Sequence, residues 1–324
     1  MKKLYLHIGA GKTGSSALQT HFAINQKVLE KYNIYYPMNE IMNEAKKFRV
    51  TSGNGMEFAK LLNSDSVDKQ SMNNLIKKVI LEAGGKDILI SSEIIQVYRE
   101  ENAKLLKSIL NQLGYEVKII YYVRAIADHL ISTYHQVVKR HHYSKDFNNI
   151  INVVDNNFLR TIEKTISIFN SENTYVKNYD YVKKNIFEDC IVNILNIDNI
   201  NEFTVKDRKI NRSLSAYEIS ILKYMNKFFH KDCDSTFVSD ALIDNNPHMQ
   251  YSMNISVKEL EKIKEKYEND LDKINRYISV EEEPLKLVNS LNIVENNNEI
   301  ELNHFQQSVT IILAALVKEM NKNR

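Results

Sequence analysis

The sequence predicts an α/β protein: a parallel sheet flanked by helices, with a helical C-terminal part. Three observations predict it. Short apolar runs of strand length alternate with longer helical patterns from the N-terminus to about Val176. A glycine-rich turn separates the first strand from the first helix. Beyond about Lys206 the strand signals fade and helical patterns remain. Strands that alternate with helices across short connections pair in parallel and are covered by helices on both faces.

The elements follow in order. Leu4-Tyr5-Leu6-His7-Ile8 reads as a buried strand that runs into Gly9-Ala10-Gly11-Lys12-Thr13-Gly14-Ser15-Ser16. A helix follows with Leu18, Phe22 and Leu29 near one face. Ile34-Tyr35-Tyr36 is a short strand closed by Pro37. One helix is expected from about Met56 to Ala83, ended by Gly84-Gly85. Asp87-Ile88-Leu89-Ile90 is a strand leading into Ser91-Ser92-Glu93, and a helix from Glu101 to Leu113 stops at Gly114. Val117 to Val123 is the clearest buried strand. After Arg124, the residues Ala127, Leu130, Ile131, Tyr134, Val137 and Val138 repeat at helical spacing. A helix over 154–170 precedes a strand at Thr174-Tyr175-Val176.

In the last part, Leu214 to Phe229, Val257 to Ile278 and Phe305 to Met320 read as helices. The second carries a stripe of Val257, Leu260, Ile263, Tyr267, Leu271, Ile274 and Ile278 on an otherwise charged surface. Such a stripe packs on the body of the protein or on a second copy. With no Pro- or Ser-rich linker between the halves, residues 1–212 are expected to form a nucleotide-binding core. Residues 213–324 are expected to be a helical extension of the same domain.

Composition narrows the function. In 324 residues, 43% hydrophobic and 26% charged, a buried core is expected. The formal net charge of +2 argues against a protein that coats nucleic acid or an acidic membrane. Cys190 and Cys233 have neither disulfide nor metal-ligand spacing, which favours a reducing compartment. The apolar run at Leu4–Ile8 is strand-sized and breaks at Gly9, so it does not read as an export signal. The run from Val309 to Val317 falls short of the ~20 residues of a membrane helix. The expected location is therefore the cytoplasm.

A strand, a glycine-rich turn and a helix turn backbone N–H groups toward a phosphate, aided by the helix dipole. Gly9, Gly11 and Gly14 permit close approach, while Ser15 and Ser16 are expected to cap the helix and donate hydroxyl hydrogen bonds. The spacing from Gly9 to Gly14 begins like the ATP-type loop, but Ser15 stands where that motif has lysine, and Lys12 lies inside the loop. A magnesium-dependent hydrolase places an aspartate at a strand end, whereas the two best candidate strands here end in Ser91-Ser92-Glu93 and in Arg124. An ordinary ATP or GTP hydrolase is disfavoured.

His7-Ile8-Gly9-Ala10-Gly11-Lys12-Thr13-Gly14-Ser15-Ser16 resembles the 5′-phosphosulfate loop of the sulfotransferases that use 3′-phosphoadenosine 5′-phosphosulfate (PAPS), in the bacterial, carbohydrate-type branch. Tyr122-Val123-Arg124 through Ser132-Thr133-Tyr134 resembles that family's 3′-phosphate site, with serine eight positions after arginine. The resemblance spans roughly residues 3 to 215. It departs at Ala125, where many members have proline. It implies the P-loop-like sulfotransferase fold, a donor site of Gly11, Lys12, Thr13, Gly14, Ser15, Ser16, Arg124 and Ser132, and no metal.

On this resemblance Lys12 reaches the 5′-phosphate and the bridging oxygen, where a cation stabilises growing negative charge. Arg124 and Ser132 hold the 3′-phosphate; a guanidinium suits bidentate phosphate binding. Glu93, at the carboxyl edge of a strand, looks like the glutamate base of glycan-modifying members. His7, His129 and His135 are rival bases. Lys206-Asp207-Arg208-Lys209-Ile210-Asn211-Arg212-Ser213 either closes over the donor or is a solvated turn. Lys139-Arg140-His141-His142-Tyr143 is either an anionic-acceptor site or an exposed helix end, and His141-His142 lacks the partner spacing of a metal site. The function expected is sulfonyl transfer from PAPS to a hydroxyl of a saccharide-like acceptor. The alternatives are a P-loop small-molecule kinase and a non-catalytic nucleotide-binding partner in glycan assembly.

Overall fold

The computed structural model of the chain describes residues 1–49, 51–206, 213–229, 232–245 and 254–294, together with 308, 309, 311–313 and 316. It divides into two compact units. The first comprises Met1–Arg124, Asn157–Ile210 and Asp270–Leu285, and the second Ala125–Asn156, Asn211–Asn269 and Lys286–Arg324.

The first unit is built on five strands: β1 (Lys2–Gly9), β2 (Ile34–Tyr35), β3 (Asp87–Ser91), β4 (Tyr115–Val123) and β5 (Thr174–Asn178). All pair in parallel, in the order β2-β3-β1-β4-β5. The α/β reading with helices on both faces therefore holds. Alternate residues of the same strands feed two separate cores. Leu4, Leu6, Ile8, Ile88, Ile90, Ile119 and Tyr121 enter one, with Leu106 and Ile162 from helices. Tyr5, Leu89, Ile120 and Tyr122 enter the other, with Leu18, Phe22 and Ile191. Burial on both faces is why these strands read as continuous apolar runs rather than alternating ones.

The order places β1 at the centre, with β3 on one side and β4 on the other. The chain leaves β1 toward β2 and β3, then returns across to β4. The carboxyl end of β1 is thus a topological switch point, where open α/β sheets have a crevice for ligands.

The structure corrects several boundaries. The single helix expected from Met56 to Ala83 is two, Met56–Asn63 and Lys69–Ala83. Asp68 starts the second by accepting the N–H groups of Gln70 and Ser71, both at 3.0 Å. An N-cap carboxylate satisfies donors that a continuous helix would have bonded internally, so it favours a new start. The helix over 154–170 is shorter, Phe158–Phe169, and a separate helix spans Phe147–Val153.

The second unit contains helices Ile126–Arg140, Phe147–Val153, Ala216–Met225 and Asp232–Asn245 and most of Val257–Asn275. Ala216–Met225 begins with a reciprocal capping box between Ser215 and Glu218. The helix Asp232–Asn245 and a parallel pair of three-residue strands, β6 (Asn254–Ser256) and β7 (Asn292–Val294), had no counterpart in the sequence reading. Three-residue strands are too short to carry a periodicity, and the 14-residue helix lacks a clear apolar stripe. Much of the stripe that begins at Val257 is buried, although Val257 itself is exposed. Ile263 and Tyr267 are buried in the second unit, where the Tyr267 hydroxyl donates to the Val154 carbonyl at 3.0 Å, while Ile274 and Ile278 join the core of the first. Of the expected helix 305–320, residues 308, 309, 311–313 and 316 are described, and all are helical. Among the described residues no helix is long and apolar enough to cross a membrane.

Candidate active site

The turn that leaves β1 is held together by its own hydroxyls. Thr13 Oγ1 donates to the Ala10 carbonyl at 2.6 Å, and Ser15 Oγ to the same carbonyl at 3.3 Å. The Ala10 N–H donates to the Tyr122 carbonyl of β4 at 2.9 Å, which fastens the loop to the neighbouring strand. Gly14 has φ +81° and caps the helix Ser15–Ile24 without any side-chain cap. A Cβ there would stand 2.9 Å from both Ile186 Cδ1 and Tyr179 Cε2. Glycine is thus needed for the left-handed backbone and for the close approach. The expected capping by Ser15 and Ser16 is corrected: both lie within the helix, and Ser15 turns back to Ala10. The first-turn N–H groups have no intrahelical acceptor by helix geometry, so they and the dipole face the loop's concavity. Gly11 and the exposed Lys12, whose φ is +66°, form the crest.

On the β4 side stands Arg124, the residue after the strand. It is only 8% exposed. Its Nη1 donates to the Lys12 carbonyl at 3.1 Å, and its guanidinium lies 5.5 Å from the centroid of the Tyr179 ring. Tyr179 therefore backs both Gly14 and Arg124. Tyr179 follows the end of β5, where Lys177 is paired with Asp189 at 3.0 Å and with Glu282. Burial works against the Lys177 charge, but the hydrogen bond to Glu282 and the Asp189 charge outweigh it, and its pKa is raised. The Tyr122 hydroxyl also donates to Asp189 at 2.9 Å, and the Asn178 N–H to Glu282 at 2.7 Å.

On the β3 side stands Glu93. The Ser92 N–H donates to the His7 carbonyl at 3.0 Å, carrying the pairing of β1 and β3 one residue further. Glu93 then opens a 3-10 turn, Glu93–Val97. A Cβ on Gly9 would lie 3.3 Å from Glu93 Cα, so the absence of a side chain on β1 lets Glu93 abut the loop's start. The half-buried Glu93 accepts a hydrogen bond at Oε2 from Gln19 Nε2 at 3.1 Å. Gln19 comes from the helix Ser15–Ile24 and is fully buried.

A further segment closes this side. β2 pairs only with Asp87 and Ile88 of β3. Beyond that, Asn54 supplies the missing partner: its Oδ1 accepts from the Ser91 N–H at 2.7 Å and its Nδ2 donates to the Leu89 carbonyl at 3.2 Å. Gly53, with φ +79°, lies so close that a Cβ would fall 2.0 Å from the Ser91 carbonyl and 2.7 Å from Gln19 Nε2. The Thr51 hydroxyl donates to Gln19 Oε1 at 3.4 Å.

Among the sequence-predicted residues, the first unit brings Gly11, Lys12, Thr13, Gly14, Ser15, Ser16, Arg124 and Glu93 around one loop. Ser132 is half-buried on the helix Ile126–Arg140 of the second unit, with His129 and His135. His7 is fully buried in β1, with Nδ1 2.8 Å from Ser91 Oγ, and burial pushes its pKa down to about 4. A ring so enclosed does not meet an acceptor. At the end of the helix Ile126–Arg140, Lys139 is buried, the partly exposed Arg140 is paired with Asp240 at 2.8 Å, and His141 is exposed. Residues 207–212 of the basic stretch lie outside the described residues. Among the described residues no group of three or more His, Cys, Asp or Glu side chains is placed to hold a metal ion.

Gln19, Tyr179 and the Thr51–Gly55 segment were not anticipated. Gly53-Asn54-Gly55 has the composition of a turn, which is the one signal in the sequence that could have marked a loop there, though not its place. Gln19 and Tyr179 carry no local signal.

No protein-family model matches the chain, and no curated protein matches it. Among solved structures it is similar to a sulfotransferase from Alicyclobacillus acidocaldarius, at 14% identity and a TM-score of 0.39, over 75% of this chain and 96% of that one. A likeness that loose leaves the chemistry to be read from the site itself.

Proposed function

We propose that the chain transfers a sulfonyl group from PAPS to a hydroxyl of a carbohydrate-like acceptor in the cytoplasm. One observation carries the reading. An exposed lysine at the crest of a phosphate-type loop is flanked by a carboxylate after β3 and a guanidinium after β4, at the switch point of a parallel sheet. The lysine's place, inside the loop rather than after its last glycine, favours sulfonyl over phosphoryl transfer.

In this mechanism the acceptor oxygen attacks sulfur in line with the bridging oxygen of the donor. The new S–O bond forms as the bridging S–O bond breaks, giving a sulfate ester and adenosine 3′,5′-bisphosphate. Glu93 takes the hydroxyl proton. Lys12 balances the charge that grows on the departing oxygen, and the N–H groups of Gly11 to Ser16 hold the 5′-phosphate. Arg124 holds the 3′-phosphate, the role that the family resemblance also gives to Ser132. Arg124 has a second duty, because its hydrogen bond to the Lys12 carbonyl links occupancy of the 3′ site to the shape of the loop.

Titration calorimetry without added metal tests the donor, and transfer of labelled sulfonate to a panel of glycans tests the acceptor. Adenosine 3′,5′-bisphosphate should bind about 10- to 150-fold more tightly than AMP. Equal affinity for the two defeats the donor assignment.

A further inference from the structure

We propose that Gln19 is the positioning residue for Glu93, and that the Thr51–Gly55 segment holds Gln19 in the orientation this requires. The inference rests on the reading of Glu93 as the base. A carboxylate acts as a base only if one lone pair points at the acceptor, so a side chain free to rotate loses much of its effect. Among the described residues Gln19 is the hydrogen-bond partner of the Glu93 carboxylate, and it occupies Oε2. Oε1 is thereby turned to a defined direction while keeping its proton-accepting capacity.

The donor is neutral. A lysine or arginine in its place would stabilise the carboxylate charge strongly and make it a poorer base. Gln19 is fully buried and its amide has two ends to satisfy. With Nε2 on Glu93, the Thr51 hydroxyl meets Oε1, and Gly53 leaves the space the amide needs. Asn54 fixes this segment to β3 by the bonds that a longer β2 would have made. The same strand end therefore carries Glu93 and anchors the segment that orients it. Because Gln19 lies on the first helix after the phosphate loop, the base is referenced to the donor site by a rigid element.

The test is a double-mutant cycle with Gln19→Met and Glu93→Gln in the full chain, read by single-turnover transfer from PAPS. Gln19→Met should lower the transfer rate about 10- to 100-fold, with the affinity for adenosine 3′,5′-bisphosphate and the acceptor KM unchanged. In the Glu93→Gln background the same change should cost less than about 3-fold, because the group it positions is gone. Gln19→Glu keeps the shape of the site should methionine disturb folding, and it should lose rate at least as strongly. An equal loss in both backgrounds, or a normal rate for both Gln19 variants, overturns the inference. An independent arm follows the Gln19 side-chain amide by NMR. Its proton signals should move on Glu93→Gln, and unmoved signals overturn the tether whether or not the protein transfers sulfonate. A normal rate for Glu93→Gln with the amide signals still displaced defeats the proposed base and leaves the tether standing.

Discussion

On the β3 side of the phosphate loop a carboxylate is held by neutral groups, Gln19 backed by Thr51 and Asn54. On the β4 side a guanidinium is held against an aromatic face and a backbone carbonyl, and a buried ion-pair network lies behind them. The first arrangement orients a charge without neutralising it, which suits a group that must exchange a proton. The second fixes the position of a charge that never changes, which suits a group that only binds. On the proposed reading, the two sides of β1 divide the reaction, one carrying rate and the other affinity. Substitutions at four positions break or sharpen that division.

The largest effect is expected from Glu93→Gln. Removing the basic oxygen should lower single-turnover transfer by about 10²- to 10⁴-fold. Nucleotide affinity measured on the same variant should stay within a few-fold, because Glu93 is assigned no donor contact. Loss of both together would make the β3 side a binding element and erase the comparison.

Lys12→Ala acts between the sides. Its transfer rate should fall by about 10²- to 10³-fold, the scale of one preorganised transition-state contact. Circular dichroism should match the unaltered protein, since the Lys12 side chain is exposed. A variant that transfers sulfonate at the normal rate would remove the loop lysine from the chemistry.

Arg124→Ala addresses the β4 side. It should erase most of the preference for adenosine 3′,5′-bisphosphate over AMP, about 10- to 150-fold in affinity by calorimetry. Arg124→Lys should recover only part, because a point charge does not reproduce a planar fork over Tyr179. Full recovery by lysine would mean that charge alone, not geometry, defines this side.

The smallest effect concerns His7, in β1 between the two sides. Burial holds its pKa near 4, below the ordinary 6.5, so between those values the unfolded chain binds more protons than the folded one. Stability should therefore fall as pH drops through that window, by about 2 kcal/mol between pH 7 and pH 5. Denaturant unfolding at the two pH values should show that loss in the unaltered protein and a smaller one in His7→Gln. Equal losses in both would assign the acid sensitivity elsewhere.

Legibility in the sequence followed the range of the interactions involved. β1, its glycine turn and the following helix are contiguous, and their hydrophobic run, glycines and lysine sit within residues 2 to 24. The strand at Val117–Val123 was clear because both its faces are buried. Boundaries failed where a single polar side chain decides between two local states. Asp68 starts a second helix after the first has ended at Asn63, and hydrophobic periodicity across that stretch does not register the change. The capping expectation for Ser15 and Ser16 failed because Gly14, held by Tyr179 and Ile186 from a distant segment, already occupies the cap.

What the sequence by itself determined is the α/β class, the glycine-rich turn after β1 with Lys12 inside it, and the presence of Glu93 and Arg124 just past the ends of β3 and β4. These are properties of short segments, written in composition and spacing. Only the tertiary structure decided that Gln19 meets Glu93 across 74 residues, that Asn54 completes the edge of β3, and that Tyr179 stands behind both Gly14 and Arg124. The physical reason is the strand order. β3 inserts beside β1 while β4 and β5 lie on its other side, so each side chain's neighbours are set by the register of strands far apart in the chain.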